Sequence, residues 1–317
     1  MTENTYEQSG VSLAKAEAVV ERLAAAVGST RTDAVVGGLG SFAGLYALDD
    51  TRLLAASTDG VGTKIVLQRS AGRLGWAGAD LAAHCINDVR TTGADPLFFL
   101  DYVAAHRLEL ADVAELVEGA ASVCRQAGCA ILGGESAEMP GVYRDGELDF
   151  AGTCVGLVTR ERLIDGSRVE AGDAILGFPS SGLHANGFSL VRRLLGVSPV
   201  DAELLLRPTR LYLADVRGLR KRCDVRGLAH ITGGGIPGNL ARVLPEGLGA
   251  VIDPAAWSRP AAFAWLDAHD VPEEEQRRVF NLGIGYCAIV PAAQAALAGE
   301  AVIGRVEAGV DGVAFAD

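Results

Sequence analysis

The sequence predicts an α/β (α+β) chain of two domains, with strands and helices mixed in both. Three observations carry that expectation. Strand-like apolar runs alternate with helical repeats along the whole chain, a turn at Asp165-Gly166-Ser167 restarts the pattern, and 317 residues favour two cores over one. A hydrophobic content of 49% with 21% charged residues belongs to a folded chain rather than a disordered one. We place the domains at 1–165 and 166–317.

Residues 12–27 have helical spacing, with Leu13, Ala16, Val20, Leu23 and Val27 on one face. The glycines of Gly37-Gly38-Leu39-Gly40 end that pattern, and strand-like segments follow at 44–48 and 53–57. Leu81, Cys85 and Val89 repeat every four residues and predict a helix over 77–91. A strand at 96–104, a helix at 111–127, a strand at 130–132 and a longer strand at 148–159 complete the first half. In the second half we expect strands at 174–178, 228–231, 250–252 and 286–290, and helices at 188–195, 209–220, 260–269 and 272–280.

Charge and apolar patterning exclude several classes. A net charge of −12 argues against a general nucleic-acid or anionic-membrane binder, though local cations and backbone dipoles can still hold a small anion. No apolar run reaches membrane-spanning length, and Met1-Thr2-Glu3-Asn4 opens no signal-peptide pattern. Cys85, Cys124, Cys129, Cys154, Cys223 and Cys287 form no Cys-x-x-Cys pair, so we expect reduced thiols and a cytosolic protein.

Asp59-Gly60-Val61-Gly62-Thr63-Lys64 follows a strand-like run and holds one of only three lysines in the chain. Glycines let backbone approach a ligand, a lysine can contact a phosphate oxygen, and an aspartate can hold a divalent metal. The six residues alone read equally as a tight turn with solvated charges. The spacing is neither the Walker pattern nor a dinucleotide fingerprint.

Four other segments place polar groups where a core would not want them. Asn87-Asp88 closes a helix, and Gly133-Gly134-Glu135-Ser136-Ala137-Glu138 follows a buried strand, where α/β ligands collect. Magnesium prefers oxygen donors, and Asp59, Asp88 and Glu135 are the carboxylates we would converge on it. Residues 180–187, which include His184, open a helix, and Thr232-Gly233-Gly234-Gly235 is a second candidate phosphate cradle.

Taken in order, these segments resemble the phosphoribosylformylglycinamidine cyclo-ligase (aminoimidazole ribonucleotide synthetase) family. The resemblance extends from Gly37 to about Val290 and includes Asn87-Asp88, Pro208-Thr209-Arg210 and residues 93–102, 133–143, 180–190, 230–235 and 280–285. Three departures are visible: residues 19–36 carry only Arg22 and Arg31 where the family pattern has a lysine, Val103-Ala104-Ala105-His106-Arg107 replaces the usual small-residue and lysine pattern, and Leu183 stands where proline is common.

The resemblance implies an ATP- and Mg2+-dependent ring closure of formylglycinamidine ribonucleotide in purine synthesis. It also implies a homodimer whose N-terminal ATP-binding sheets form a β-barrel, followed by an α/β domain. By motif match, His184, Asp88 and Lys64 are the catalytic candidates, and Asp59, Asp88 and Glu135 the metal candidates. Gly37, Gly38, Gly40, Asp59, Gly60, Gly62, Thr63, Lys64, Asn87, Gly134 and Glu135 are assigned to the nucleotide, and Gly233, Gly234 and Gly235 to phosphate. No nucleic acid or membrane partner is implied.

Overall fold

A computed structural model describes residues 4–316; Met1, Thr2 and Glu3 of the expected signal-free start lie outside the described residues. Helix α1 (Leu13–Gly28) precedes β1 (Val35–Val36), β2 (Gly44–Ala47) and β3 (Arg52–Gly60). Helices α2 (Lys64–Ser70) and α3 (Leu74–Thr91), strand β4 (Asp95–Ala105), α4 (Leu110–Ala127), β5 (Ala130–Glu138) and β6 (Leu148–Thr159) follow. The second half runs β7 (Ala174–Pro179), α5 (Phe188–Leu195), α6 (Ala202–Leu205), α7 (Leu213–Leu219), β8 (Gly227–His230), α8 (Gly235–Leu240) and β9 (Leu248–Ile252). It ends with α9 (Ala261–Asp267), α10 (Glu273–Val279), β10 (Ile284–Val290), α11 (Ala295–Ala298), β11 (Ala301–Ala308) and β12 (Val313–Phe315).

Two six-stranded mixed sheets result, ordered β1-β2-β3-β6-β4-β5 and β12-β9-β11-β7-β10-β8. In the first, β6 alternates inward and outward, so Phe150, Gly152, Cys154, Gly156 and Val158 face the helices while the residues alternating with them face away. That outer face leaves Tyr46, Leu97, Leu100, Tyr102 and Leu132 exposed. The inner face packs on α3, whose Leu81, Cys85, Ile86 and Val89 are buried, each large apolar side chain contributing roughly 1.5–3 kcal/mol.

Helices α3 and α4 approach backbone to backbone. A Cβ at Gly78 would lie 1.9 Å from the Leu116 carbonyl oxygen, and one at Gly119 would lie 1.9 Å from that of Gly75. With one side fixed against α4 and the sheet, α3 offers its remaining face to the chain entering α7. Its polar residues Asp80, His84, Asn87 and Asp88 contact the second half there.

Several expectations change. The helix at 13–28 forms, but Val20, Leu23 and Val27 are exposed at 47%, 50% and 40%, so that apolar face does not line a core of this chain. The side chains of Leu13 and Ala16 lie outside the described residues. Residues 133–138 do not leave the sheet: β5 continues to Glu138, paired in parallel with β4. Backbone pairing satisfies this polar stretch, and Asp101 fills the space beside Gly134, where a Cβ would lie 1.6 Å from Asp101 Oδ1. Among the described residues, no helix is long and apolar enough to cross a membrane.

Candidate active site at the junction of the two sheets

The site forms where α3 meets the segment 207–212, the loop after β7 and the end of β8. Asp80, fully buried, anchors it. Its Oδ1 accepts from the Thr209 backbone N–H (2.8 Å) and Oγ1 (2.7 Å). Its Oδ2 accepts from Gln68 Nε2 (2.7 Å) and Lys64 Nζ (2.7 Å). Four donors fill the four lone-pair positions of a carboxylate, which makes a buried charge tolerable.

Lys64 also donates to the Arg207 carbonyl oxygen at 3.0 Å and has no exposed surface. The expected phosphate contact is therefore not what this side chain makes. It neutralises Asp80, because two charges removed from water are stable only as a hydrogen-bonded pair. Asn87 is occupied in a similar way, donating to the Arg210 carbonyl oxygen (2.9 Å) and accepting from the Tyr212 N–H (2.9 Å).

Three histidines gather beside this anchor, and their partners fix two proton states: one imidazolium and two neutral rings that leave opposite nitrogens free. Thr209 Oγ1 gives its only proton to Asp80, so it accepts from His84 Nε2 at 3.0 Å. His84 Nδ1 faces Asp59 Oδ2, an acceptor, at 3.2 Å. Both ring nitrogens must carry protons, and His84 is an imidazolium. Burial opposes its charge, but the hydrogen bond and charge of Asp59 outweigh burial and hold its pKa above the ordinary histidine value. Asp59 is correspondingly lowered: burial would raise it, and His84 overrides that effect.

His230 lies fully buried with Nδ1 2.8 Å from Asp88 Oδ1, so Nδ1 holds the proton and Nε2 is left as a bare acceptor without a partner. Burial lowers its pKa despite Asp88. Asp88 Oδ2 accepts from Ser57 Oγ at 3.1 Å. The rings of His84 and His230 meet edge to face, with centroids 5.1 Å apart.

His184 is the converse. Its Nε2 accepts from the Ser181 N–H (3.3 Å), so the proton sits on Nδ1, which has no partner. Burial first, then the nearby His84 and His230, push its pKa well below the ordinary value. Its backbone is left-handed (φ 60°), and its ring occupies the space a Cβ at Gly285 would need, 2.4 Å from Cε1.

The remaining sequence candidates are dispersed. Thr63 caps no helix through its side chain; its hydroxyl lies 3.1 Å from Ser189 Oγ, beside Gly62 (φ 68°). Gly233, Gly234 and Gly235 form a turn after His230, held by Asn239 Nδ2 donating to the carbonyl oxygens of Thr232, Gly233 and Gly235. Gly37 and Gly38 instead line a separate cavity with Phe42, Thr91 and Arg242, and Gly40 is exposed.

Glu135 belongs to another part of the sheet. Asp59, Gly152, Asp101 and Gly134 form one row across β3, β6, β4 and β5, so Gly134 is about 14 Å from Asp59 at ordinary strand spacing. Glu135, one residue on, points to the opposite face. Among the described residues, no three of His, Cys, Asp and Glu gather to hold a metal ion. Asp59, Asp88 and Glu135 are thus not a preformed cage.

Sequence reasoning missed His84, His230 and Asp80 as site residues. Asp80, His84 and Asp88 are spaced by four on one helix, a signal hidden by the apolar Leu81, Cys85 and Val89 repeat.

The fold and this junction define a class. Family models for AIR synthase related proteins match residues 40–158 with the N-terminal domain and 170–317 with the C-terminal domain. The phosphoribosylformylglycinamidine cyclo-ligase of Synechococcus sp. (strain CC9311) is 47% identical, over 97% of this chain and 96% of that one. That of Myxococcus xanthus (strain DK1622) is 47% identical, over 96% of each. The chain belongs to the phosphoribosylformylglycinamidine cyclo-ligase family. Among solved structures, AaThiL complexed with AMPPCP and TMP shares the fold at 17% identity, with a TM-score of 0.66 over 94% of this chain and 92% of that one. The hydrogenase maturation protein HypE in complex with ATP has a TM-score of 0.62 at 20% identity, over 83% and 79%.

Proposed function

We propose that the chain uses ATP to close the imidazole ring of aminoimidazole ribonucleotide from formylglycinamidine ribonucleotide, a step of de novo purine synthesis. The observation that carries this reading is 47% identity, over nearly the whole chain, to cyclo-ligases of Synechococcus sp. (strain CC9311) and Myxococcus xanthus (strain DK1622). Phosphorylation of the formamide oxygen by ATP turns a poor leaving group into a good one. The amidine nitrogen then bonds to the activated carbon, the carbon–oxygen bond breaks, and phosphate leaves with that oxygen.

The histidines match the proton traffic of this reaction. His230 Nε2, a bare acceptor backed by Asp88, is placed to take a proton from the attacking nitrogen. His184 Nδ1–H, an idle donor, is placed to stabilise the oxygen that becomes negative or departs. The His84 imidazolium adds fixed positive charge without acting as a base. His184, Asp88 and the glycines 233–235 keep their roles in this proposal, while Lys64 contributes by holding Asp80 and segment 207–212.

Of the three carboxylates at the junction, Asp80 is saturated by its four donors. Each oxygen of Asp59 and Asp88 instead accepts a single hydrogen bond and keeps a lone pair for a magnesium ion whose other donors would be water and phosphate oxygens. Bound there, the cation would neutralise charge on the transferring phosphoryl group. Beside Gly62 and Thr63 a cavity of about 570 Å³, with Ile65, Val66, Tyr143 and Leu148 in its wall, has the size and apolarity to seat a nucleotide base.

The exposed face of the first sheet fits a homodimer in which a second copy covers Tyr46, Leu97, Leu100, Tyr102 and Leu132. Six free, buried cysteines accord with a cytoplasmic enzyme. Substrate carrying oxygen-18 in its formyl group tests the chemistry: the label must appear in the released phosphate. Label retained in an organic product would refute oxygen activation.

A further inference from the structure

Away from the junction, the C-terminal end of α3 and the end of α7 share a cavity of about 380 Å³ lined by Arg90, Asp95, Arg162, Arg217, Arg220 and Lys221. Five cations face one carboxylate in a chain whose net charge is −12. Like charges are not gathered at random in so acidic a protein, because each adds repulsion that only an anion relieves.

The cluster is partly built in. Arg90 is buried, 2% exposed, and its Nη1 donates to the carbonyl oxygens of Gly93 and Ala94 and to Asp95 Oδ1 (2.8 Å). Its Nε has no partner. Arg220 donates to the carbonyl oxygens of Gly93 and Arg162, and Arg217 Nε donates to Asp95 at 3.1 Å. Asp95 is thereby shared between two guanidiniums. The side chains of Arg162 and Lys221 make no hydrogen bond or ion pair among the described residues, although both line the cavity.

We propose that this cavity is a second anion site that binds a compact polyphosphate group, either free or carried by a nucleotide. Guanidinium forks match phosphate oxygens in pairs, and an ammonium adds a point charge. The volume admits two or three linked phosphates and excludes a nucleic-acid duplex. The site is separate from the glycines of 232–235 and from Asp59, and its ligand would bridge α3 to α7, the two helices that flank segment 207–212.

The test is calorimetric titration of the full chain with inorganic tripolyphosphate, pyrophosphate and, in a separate arm, ADP, with hydrogen exchange to locate the site. Tripolyphosphate should bind and protect residues around 160–168 and 213–223, and added salt should weaken it. The double variant Arg162→Gln/Lys221→Gln removes two cations that hold no other side chain. It should bind about tenfold more weakly or worse while melting like the wild type. ADP binding that resists this double variant assigns ADP to the junction site; ADP binding that falls with it shows that the cavity accepts nucleotides. No tripolyphosphate binding, equal binding by the double variant, or protection confined to 180–187 and 232–238 would overturn the proposal.

Discussion

His230 Nδ1 lies 2.8 Å from Asp88 Oδ1, and this contact joins the last residue of β8 in one sheet to the helix beneath the other. It fixes the tautomer of a buried imidazole and leaves Nε2 as an acceptor. The proposed proton transfer depends on that arrangement.

His230→Gln should lower kcat by about 10²–10⁴ with little change in thermal midpoint. Asp88→Asn should do comparable damage, because an amide in place of the carboxylate can donate to Nδ1 and move the ring proton to Nε2. Steady-state kinetics beside melting curves check both. A His230→Gln enzyme with wild-type turnover would remove His230 from the mechanism.

The His84–Asp59 pair has a defined pH window. The folded pKa of His84 is raised, so its stabilisation is fully present below pH ~6.5 and is lost as pH rises through the folded value. That of Asp59 is lowered, so its share is present above pH ~4 and is lost as pH falls through the folded value. Melting of metal-free protein against pH should show wild type outlasting His84→Asn most between these limits. The advantage should shrink toward alkaline pH. A constant difference would show that His84 is not charged.

Lys64 and Asp80 exclude water from each other completely. Lys64→Met should cost about 3–5 kcal/mol in urea unfolding, since it leaves Asp80 charged and buried with only Thr209 and Gln68. The double variant Lys64→Met/Asp80→Leu should recover part of that loss. If Lys64→Met proves as stable as wild type, the Lys64–Asp80 pair does not hold this junction together.

How much of this was readable in the chain varies by residue. The strand at 148–159 and the helix at 188–195 appear with the predicted limits, because alternation and helical periodicity are local signals. The predicted strand stops at Leu132 because the pairing with β4 that carries it through residues 133–138 is not local. The same holds for Lys64, whose partner sits on another helix with nothing in the sequence to mark it. His84 and His230 come together only when the two sheets meet. Val20, Leu23 and Val27 show the reverse limit: periodicity identifies an apolar face but not what covers it.

Gly285 reserves the seat of His184. A Cβ there would lie 2.1 Å from Tyr212 Oη and 2.4 Å from His184 Cε1, so Gly285→Ala should displace the ring and cost about 1–3 kcal/mol by overpacking. Activity should fall further than that destabilisation explains at a temperature where the variant remains folded. Normal kcat in folded Gly285→Ala would mean that the His184 position is not critical.

The most direct measurement supplies formylglycinamidine ribonucleotide, ATP and Mg2+ to the purified chain and follows ADP and aminoimidazole ribonucleotide together. A cyclo-ligase forms both, one ADP for each ring closed, with no imidazole product when ATP is omitted. ADP released without the imidazole product, or neither product formed, would contradict the proposed reaction.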